Sequence, residues 1–285
     1  MEKRSLGKTG EKLSMIGFGG IVVDKATTRE AAARVKEAID HGINYFDVAP
    51  SYGNAEEMLG PALEPYRKDV FLACKTGERD KAGSRRELEE SLKYLRTDHF
   101  DLYQLHAVTT LEDVDTIFGK NGAMETFVKA KEEGKVRFLG FSAHSVEAAM
   151  ALMERYDFDT ILFPFNFATW YAGNFGPQVM EKAKEKGMGI LALKAMAWRR
   201  WEEEEERTNT KTWYKPLPGA EQANEGLRFT LSHPVTAAIP PGHEDLFSMA
   251  LTLAKDFKPM EKREIKAIKE KAMQTEPLFR YPMQA

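Results

Sequence analysis

The stretch NYFDVAPSYG (44–53) joins a short apolar run to two ionisable side chains, Asp47 and Tyr52. Two later apolar runs end in the same way, DVFLACK at Lys75 and DLYQLH at His106. These runs recur about every thirty residues along the chain. In a parallel barrel, functional side chains lie where the strands end, so the recurrence predicts a barrel with its chemistry at one face.

The rest of the chain alternates between strand-like and helix-like segments, which predicts parallel strands joined by right-handed crossovers. We predict an α/β fold, a (β/α)8 TIM barrel that forms a single domain over residues 1–285. A β-hairpin over residues 3–14 precedes the barrel, and an extra helix at about residues 260–274 follows it. The predicted barrel strands lie at 15–20, 43–46, 70–74, 101–105, 135–142, 160–163, 189–194 and 235–240.

An open, doubly wound sheet is the competing architecture, and it would require a glycine-rich dinucleotide turn. The segment GFGG (17–20) lacks the third glycine at the required spacing. We interpret it either as a tight strand exit or as a place where a ligand approaches the backbone. The closed barrel is therefore the favoured architecture.

Hydroxyl side chains mark the predicted starts of three helices. Thr27 with Glu30, and Ser84 with Glu87, have the spacing of a capping box. Ser145 is expected to begin a third helix. These starts separate the helices from the strands that precede them.

The composition is that of an ordinary globular protein, with 42% hydrophobic and 30% charged residues among 285. A net charge of −3 offers no basic surface for a polyanion, so nucleic acid is not an expected partner. Cys74 is the only cysteine, which favours a reducing cytoplasm. The polar N-terminus shows no signal peptide, and the apolar stretch near 161–173 is too short to span a membrane. The sequence leaves the oligomeric state open.

The four side chains at the strand ends could together deliver a proton to a carbonyl oxygen or remove one from an alcohol, and the sequence leaves the direction open. A free tyrosine has a pKa of about 10, and a neighbouring ammonium lowers it by stabilising the phenolate. Lys75 would lower the pKa of Tyr52 in this way, and Asp47 would offset the cost of burying the ammonium. His106 would donate a hydrogen bond to the substrate oxygen. Each residue also has a structural alternative: a packed tyrosine, a solvated lysine or a core histidine. The matching hydride must come from a cofactor, because no side chain supplies one.

The sequence blocks around these residues resemble one protein family over nearly the whole chain. The resemblance, to the aldo-keto reductases, rests on SMIGFGG, INYFDVAPSYGNAE, ACKTG, LYQLH and LRFTLSHPVTAAIP. It implies a barrel that binds NADP(H), or NAD(H), without a Rossmann domain. It also implies reduction of a small aldehyde or ketone, with Tyr52 as general acid and hydride passing from the nicotinamide to the carbonyl carbon. No metal is implied.

The resemblance further implies a set of cofactor-binding residues at strand ends and in the loops that follow them. Ser142 and Asn166 would contact the carboxamide. Lys194 could reach the pyrophosphate, for which a cation is enough, and a solvated lysine is the alternative. The full set is Gly20, Asp47, Ser142, Asn166, Lys194, Pro240 and Gly242.

Cofactor preference depends on the segment PPGHEDLF (240–247). Many NADP-preferring relatives have a lysine or arginine here for the 2′-phosphate, whereas this chain has Glu244 and Asp245. Carboxylates oppose a phosphate, although a helix N-terminus could still bind one. We expect NADP(H) on the family pattern, with NAD(H) as the alternative.

A long polar loop follows the seventh strand and contains the acidic run EEEEE (202–206). We expect this run to be a solvated surface, and a docking patch for a basic partner is the alternative. The tail PLFRYPMQA (277–285) either folds over the barrel mouth or is disordered. The loop also carries aromatic residues that suggest a lid or a substrate wall, or self-packing that anchors it: Trp198, Trp201, Trp213 and Tyr214.

Two other functions fit parts of the sequence. The same family includes potassium-channel β subunits, so the chain could be a regulatory subunit, weakly catalytic or non-catalytic, that senses nicotinamide nucleotides. A metal-dependent hydrolase barrel is the third possibility. It lacks support because none of the six histidines has HxH or HExxH spacing.

Overall fold

Residues 1–282, which the computed structural model describes, form a closed parallel sheet of eight strands surrounded by helices. In chain order the strands are β1 (Lys3–Ser5), β2 (Lys12–Ser14), β3 (Phe18–Gly19), β4 (Tyr45–Asp47), β5 (Phe71–Thr76), β6 (Phe100–Val108), β7 (Val136–Ala143), β8 (Thr160–Pro164), β9 (Gly189–Leu193), β10 (Ala197–Arg200), β11 (Tyr214–Pro216) and β12 (Ala237–Ile239). The α-helices are α1 (Thr28–Asp40), α2 (Ala55–Leu63), α3 (Lys81–Tyr94), α4 (Leu111–Phe118), α5 (Ala123–Glu132), α6 (Val146–Arg155), α7 (Phe167–Tyr171), α8 (Pro177–Glu185), α9 (Gly219–Leu231), α10 (Glu244–Lys255) and α11 (Lys262–Met273).

The barrel strands β3 to β9 and β12 each pair in parallel with the next barrel strand along the chain. The sheet closes where β12 meets the segment before β3. There the Ala238 N–H donates to the Met15 carbonyl at 2.9 Å, and the Gly17 N–H donates to the Ala238 carbonyl at 3.0 Å. The predicted (β/α)8 barrel is confirmed, together with the N-terminal hairpin β1–β2 and the extra helix α11.

The barrel interior changes from apolar to polar along the strands. Alternate residues of a strand face the same side of the sheet. Inward-facing residues that are two positions apart on a strand therefore belong to successive layers of the barrel interior. The polar layer contains Asp47, Lys75 and Gln104, with Lys75 directly opposite Gln104 in the register. The apolar layer beneath it is completed by the hairpin and contains Leu6, Leu13, Tyr45, Phe71, Ala73, Leu102, Leu162 and Leu191.

Two of the three predicted helix starts are confirmed. Thr27 caps α1 in a capping box with Glu30, and the Ser145 hydroxyl caps α6. The predicted start at Ser84 is wrong, because α3 begins one turn earlier. The Asp80 carboxylate accepts two backbone N–H groups of the first turn, each at 2.9 Å. A carboxylate at a helix N-terminus is a strong cap, since it also interacts favourably with the helix dipole.

Several elements lie where the sequence predicts only loop. Helices α4 and α7 are two of them, and the antiparallel pair β10–β11 lies inside the long polar loop. The described part of the tail packs against this pair, since Leu278 is buried beside Ala197 and Tyr214. Residues 283–285 of the predicted tail and of the predicted domain lie outside the described residues.

Within residues 1–282, none of the helices has the combination of length and apolar character that crossing a membrane requires.

Candidate active site

Lys75 lies in the polar layer of the barrel and has no exposed surface. Its ammonium contacts the Asp47 carboxylate, donates to the Val48 carbonyl at 3.2 Å and lies 3.4 Å from the Tyr52 hydroxyl. Burial lowers the pKa of Lys75, but the Asp47 carboxylate opposes this effect, and the net pKa is raised. The lysine is therefore a fixed positive charge beside the phenol.

Two further residues hold the Asp47 carboxylate. Gln104 donates to its Oδ2 at 2.9 Å, and the Tyr45 hydroxyl donates to the same oxygen at 3.2 Å. A buried ion pair is stable only when its remaining hydrogen-bonding capacity is satisfied. Sequence reasoning missed both residues, although the signal was present: Tyr45 lies two positions before Asp47, and Gln104 two positions before His106, on the same strand faces.

Tyr52 lies in the turn after β4 and is half-buried. Burial raises the pKa of its phenol, and Lys75 lowers it, with a net pKa above the usual value. The predicted effect of Lys75 on the pKa of the phenol thus has the expected direction, but burial outweighs it, and an overall lowering of the pKa is not found. The phenol is neutral at physiological pH, which is the form that can donate a proton.

His106 lies at the end of β6 and faces the phenol ring. The two ring centroids are 5.6 Å apart, with the ring planes at 82°. Burial and the charge on Lys75 lower the pKa of His106 to about 2, so its imidazole is neutral. A neutral imidazole carries one N–H donor. The structure thus brings the four residues predicted from the sequence together in one place.

A cavity of about 200 Å³ lies against these four side chains. Of the predicted cofactor-binding residues, Asp47, Ser142, Lys194, Pro240 and Gly242 line it. Two others lie elsewhere, and their cofactor roles remain predictions.

Gly20 is one of these two, and Gly19 lines the cavity in its place. A Cβ on Gly20 would lie 2.7 Å from Cγ2 of Val48, so packing explains that glycine. Asn166 is the other, fully buried at the end of β8, where its Oδ1 accepts from the Thr169 N–H at 2.9 Å.

The comparison with known proteins decides the family. The sequence profile of the Aldo/keto reductase family matches residues 15–259. The chain belongs to this family.

Individual relatives agree with this assignment. The uncharacterized oxidoreductase YqkF of Bacillus subtilis is 25% identical over 94% of this chain and 95% of its own length. L-galactose dehydrogenase of Arabidopsis thaliana is 30% identical, with 69% of this chain and 66% of that protein aligned. An aldo-keto reductase structure from Bacillus halodurans has a TM-score of 0.76 at 23% identity and covers 99% of both chains.

This aldo-keto reductase is an NAD(P)-dependent oxidoreductase, as its family membership shows. One buried donor beyond the end of β8 also fits a nicotinamide cofactor. The Asn166 Nδ2 is buried and has no hydrogen-bond partner among residues 1–282, and such a donor suits an amide oxygen. A Cβ on Gly242 would lie 2.3 Å from Cγ2 of Ile21, so packing explains this glycine as it explains Gly20.

Lys194 provides a positive charge on the cavity wall. Its ammonium lies 5.4 Å from the Trp213 ring centroid and 4.9 Å from that of Tyr214. Burial lowers the pKa of Lys194 to about 8. A cation held against aromatic rings, rather than by a carboxylate, stays available to an anion such as a pyrophosphate.

The carboxylate of Glu244, in the segment after β12, lies beside two cations that the local sequence does not reveal. Glu244 accepts from Arg34 of α1 at 3.3 Å and from Lys211 of the long loop at 3.4 Å. Lys211 also donates to the Val22 carbonyl at 3.1 Å and lines the cavity. Sequence reasoning missed both cations, because Arg34 is 210 residues from Glu244 and no local pattern connects them.

No group of three or more His, Cys, Asp or Glu side chains within residues 1–282 is arranged to hold a metal ion.

Proposed function

We propose that this reductase converts a small aldehyde or ketone to the alcohol, with Tyr52 as the general acid. The observation that carries the proposal is the position of the Lys75 ammonium, in contact with Asp47 and 3.4 Å from the Tyr52 hydroxyl, at the wall of a cavity. When bound, a nicotinamide cofactor supplies the hydride for such a reduction.

The protein's own groups act on the carbonyl oxygen. As negative charge develops there, the neutral Tyr52 phenol donates its proton. Lys75 stabilises the phenolate that remains, and Asp47 keeps Lys75 charged and in place. The neutral His106 imidazole donates a hydrogen bond that orients the carbonyl and stabilises the developing charge.

Cofactor titration and turnover test this proposal together. We expect NADPH, NADH or both to quench the protein's tryptophan fluorescence. The nucleotide that binds should then be oxidised as a small aldehyde is reduced. Binding of neither nucleotide would contradict the proposal, and so would binding without turnover on a broad panel of aldehydes and ketones.

We also propose that NADP(H) is preferred over NAD(H). Arg34 and Lys211 support this preference, because they place two cations beside Glu244 at the start of α10. A 2′-phosphate could share these cations, and charge-assisted hydrogen bonds to phosphate are strong. Lys211→Met should raise the dissociation constant for NADPH at least tenfold and that for NADH much less. Equal effects on the two nucleotides would contradict the preference.

The regulatory-subunit alternative has less support. Its docking surface would be the acidic run 202–206. Glu205 of this run is already paired with Arg199 and Lys215 of the same loop, so its charge is not available to a basic partner. Negligible turnover combined with capture of a stable partner would favour the alternative.

A further inference from the structure

The backbone immediately after His106 is irregular. β6 and β7 pair in register up to Leu105 opposite Phe141, and then resume with Val108 opposite Ala143. One extra residue is therefore accommodated on β6 between these pairs, which is a β-bulge. Ala107 in this bulge has φ of +50°, a left-handed conformation that an alanine adopts only when its surroundings hold it there.

Arg79 holds this bulge from one side. It lies in the segment between β5 and α3, and its Nη2 donates to the carbonyls of His106 at 2.9 Å and of Ala107 at 3.3 Å. Its Nε pairs with Asp113 of α4 at 3.3 Å. From the other side, the Ser142 hydroxyl accepts from the Ala107 N–H at 2.7 Å. The backbone on both sides of the bulge is therefore fixed by side chains.

The His106 ring makes one weak side-chain hydrogen bond within residues 1–282. Its Nδ1 lies 3.4 Å from the Ser51 hydroxyl, at the limit of a hydrogen bond, and its only described aromatic neighbour is Tyr52. The position of the imidazole therefore depends strongly on the backbone that carries it. We propose that Arg79 is a positioning residue, which fixes His106 against the cavity by bonding the two carbonyls of the bulge. The proposal rests on the role of His106 in the proposed function.

A matched control is available at the other end of the same strands. Arg67 also donates to two backbone carbonyls, those of Val70 at 3.2 Å and His99 at 2.9 Å, and it pairs with Asp101 at 3.0 Å. Its bonds thus resemble those of Arg79, but they lie before β5 and β6 rather than after them. A purely structural role predicts similar effects of truncating either arginine.

The experiment compares Arg79→Ala, Arg79→Lys and Arg67→Ala in the full chain, with NADPH and 4-nitrobenzaldehyde. We expect Arg79→Ala to lower kcat by about 10- to 100-fold, because small displacements of catalytic groups are costly. Its dissociation constant for NADPH should change less than twofold. Arg79→Lys, which can still donate to one carbonyl, should recover part of the rate. Arg67→Ala should lower the melting temperature and leave kcat within twofold.

A crystal structure of Arg79→Ala provides a readout that does not depend on turnover, and it should show the His106 ring displaced. The proposal is overturned if that ring is unmoved, if Arg79→Ala keeps its kcat, or if Arg67→Ala loses kcat equally. Should the wild-type protein reduce no aldehyde, the proposed function fails and the ring displacement alone decides the positioning role. If Arg79→Ala does not fold, the same comparison is made with Arg79→Lys and Arg67→Lys.

Discussion

At the scale of single residues, the chemistry depends on how the charge of Lys75 is held. The ammonium has no exposed surface, and its partner Asp47 is bonded in turn to Gln104 and Tyr45. The order and spacing of the ionisable residues were enough to predict Asp47, Tyr52 and Lys75 as neighbours, because the carboxyl ends of the strands in a parallel barrel converge on one face. The net pKa of the phenol could not be predicted, since burial depends on the whole fold.

The first prediction concerns the buried ion pair. Lys75→Met leaves the Asp47 carboxylate buried without its counter-charge, which should lower the free energy of unfolding by about 3–5 kcal/mol. Urea denaturation monitored by circular dichroism measures this change. The double variant Asp47→Asn/Lys75→Met removes both charges and should recover part of the loss. A single variant that loses less than about 1 kcal/mol would show that the pair is not desolvated as described.

At the scale of elements, the least predictable part is the loop that contains β10 and β11. Its sequence is polar and has no strand periodicity, so only the aromatic residues indicated that it packs on the barrel. The structure shows an antiparallel pair of strands linked by ion pairs between side chains. Glu205, in the connection, contacts Lys215 on β11 and lies 2.9 Å from Arg199 on β10. These contacts join residues from both strands, and no local pattern reveals them.

The second prediction tests this loop. Glu205→Gln removes the carboxylate that links the two strands, so trypsin should cleave the connection 201–213 several-fold faster than in the wild type. Glu203→Gln, a change at an exposed neighbour in the same acidic run, is the matched control and should leave the cleavage rate unchanged. The fragments are identified by mass spectrometry. Equal cleavage of both variants would mean that Glu205 does not anchor the loop.

The ion pairs of Glu205 also predict how the stability of this loop changes with pH. Hydrogen bonds from Lys215 and Arg199 lower the pKa of Glu205 to about 2. A lowered carboxyl pKa contributes stability that is present above the unfolded value and is lost as the pH falls toward 2. Protection of the loop from acid-active proteases should therefore decrease in strongly acidic solution.

At the scale of the whole molecule, closing the barrel buries histidines far apart in the sequence. His106 lies near the end of β6 and His144 directly follows the adjacent strand β7, and burial is the main cause that lowers their pKa values to about 2 and about 3. The sequence predicted the barrel well, because its repeating strands and helices leave few other topologies. It could not predict which polar side chains would be desolvated when the sheet closed.

The third prediction follows from these two histidines. The unfolded chain binds protons on them below a pH of about 6.5, whereas the folded chain does not, so stability is lost as the pH falls from 6.5 toward 3. Each histidine should contribute a slope of about 1.4 kcal/mol per pH unit once the unfolded form is protonated.

Urea denaturation at a series of pH values measures this slope. His144→Gln should reduce the slope of the free energy of unfolding against pH by the contribution of one histidine. His99→Gln, a change outside the cavity, should leave most of that slope in place. A slope that does not change in His144→Gln would contradict the burial of that ring.

The most direct test of the account is the rate of hydride transfer in Tyr52→Phe, followed in a single turnover by the absorbance of the reduced nicotinamide. Removing the phenolic hydroxyl removes the proton donor and leaves the ring in place, so the rate should fall by about 10²- to 10⁴-fold. The dissociation constant for the cofactor should stay nearly unchanged. A variant that transfers hydride within a few-fold of the wild-type rate would show that Tyr52 is not the acid.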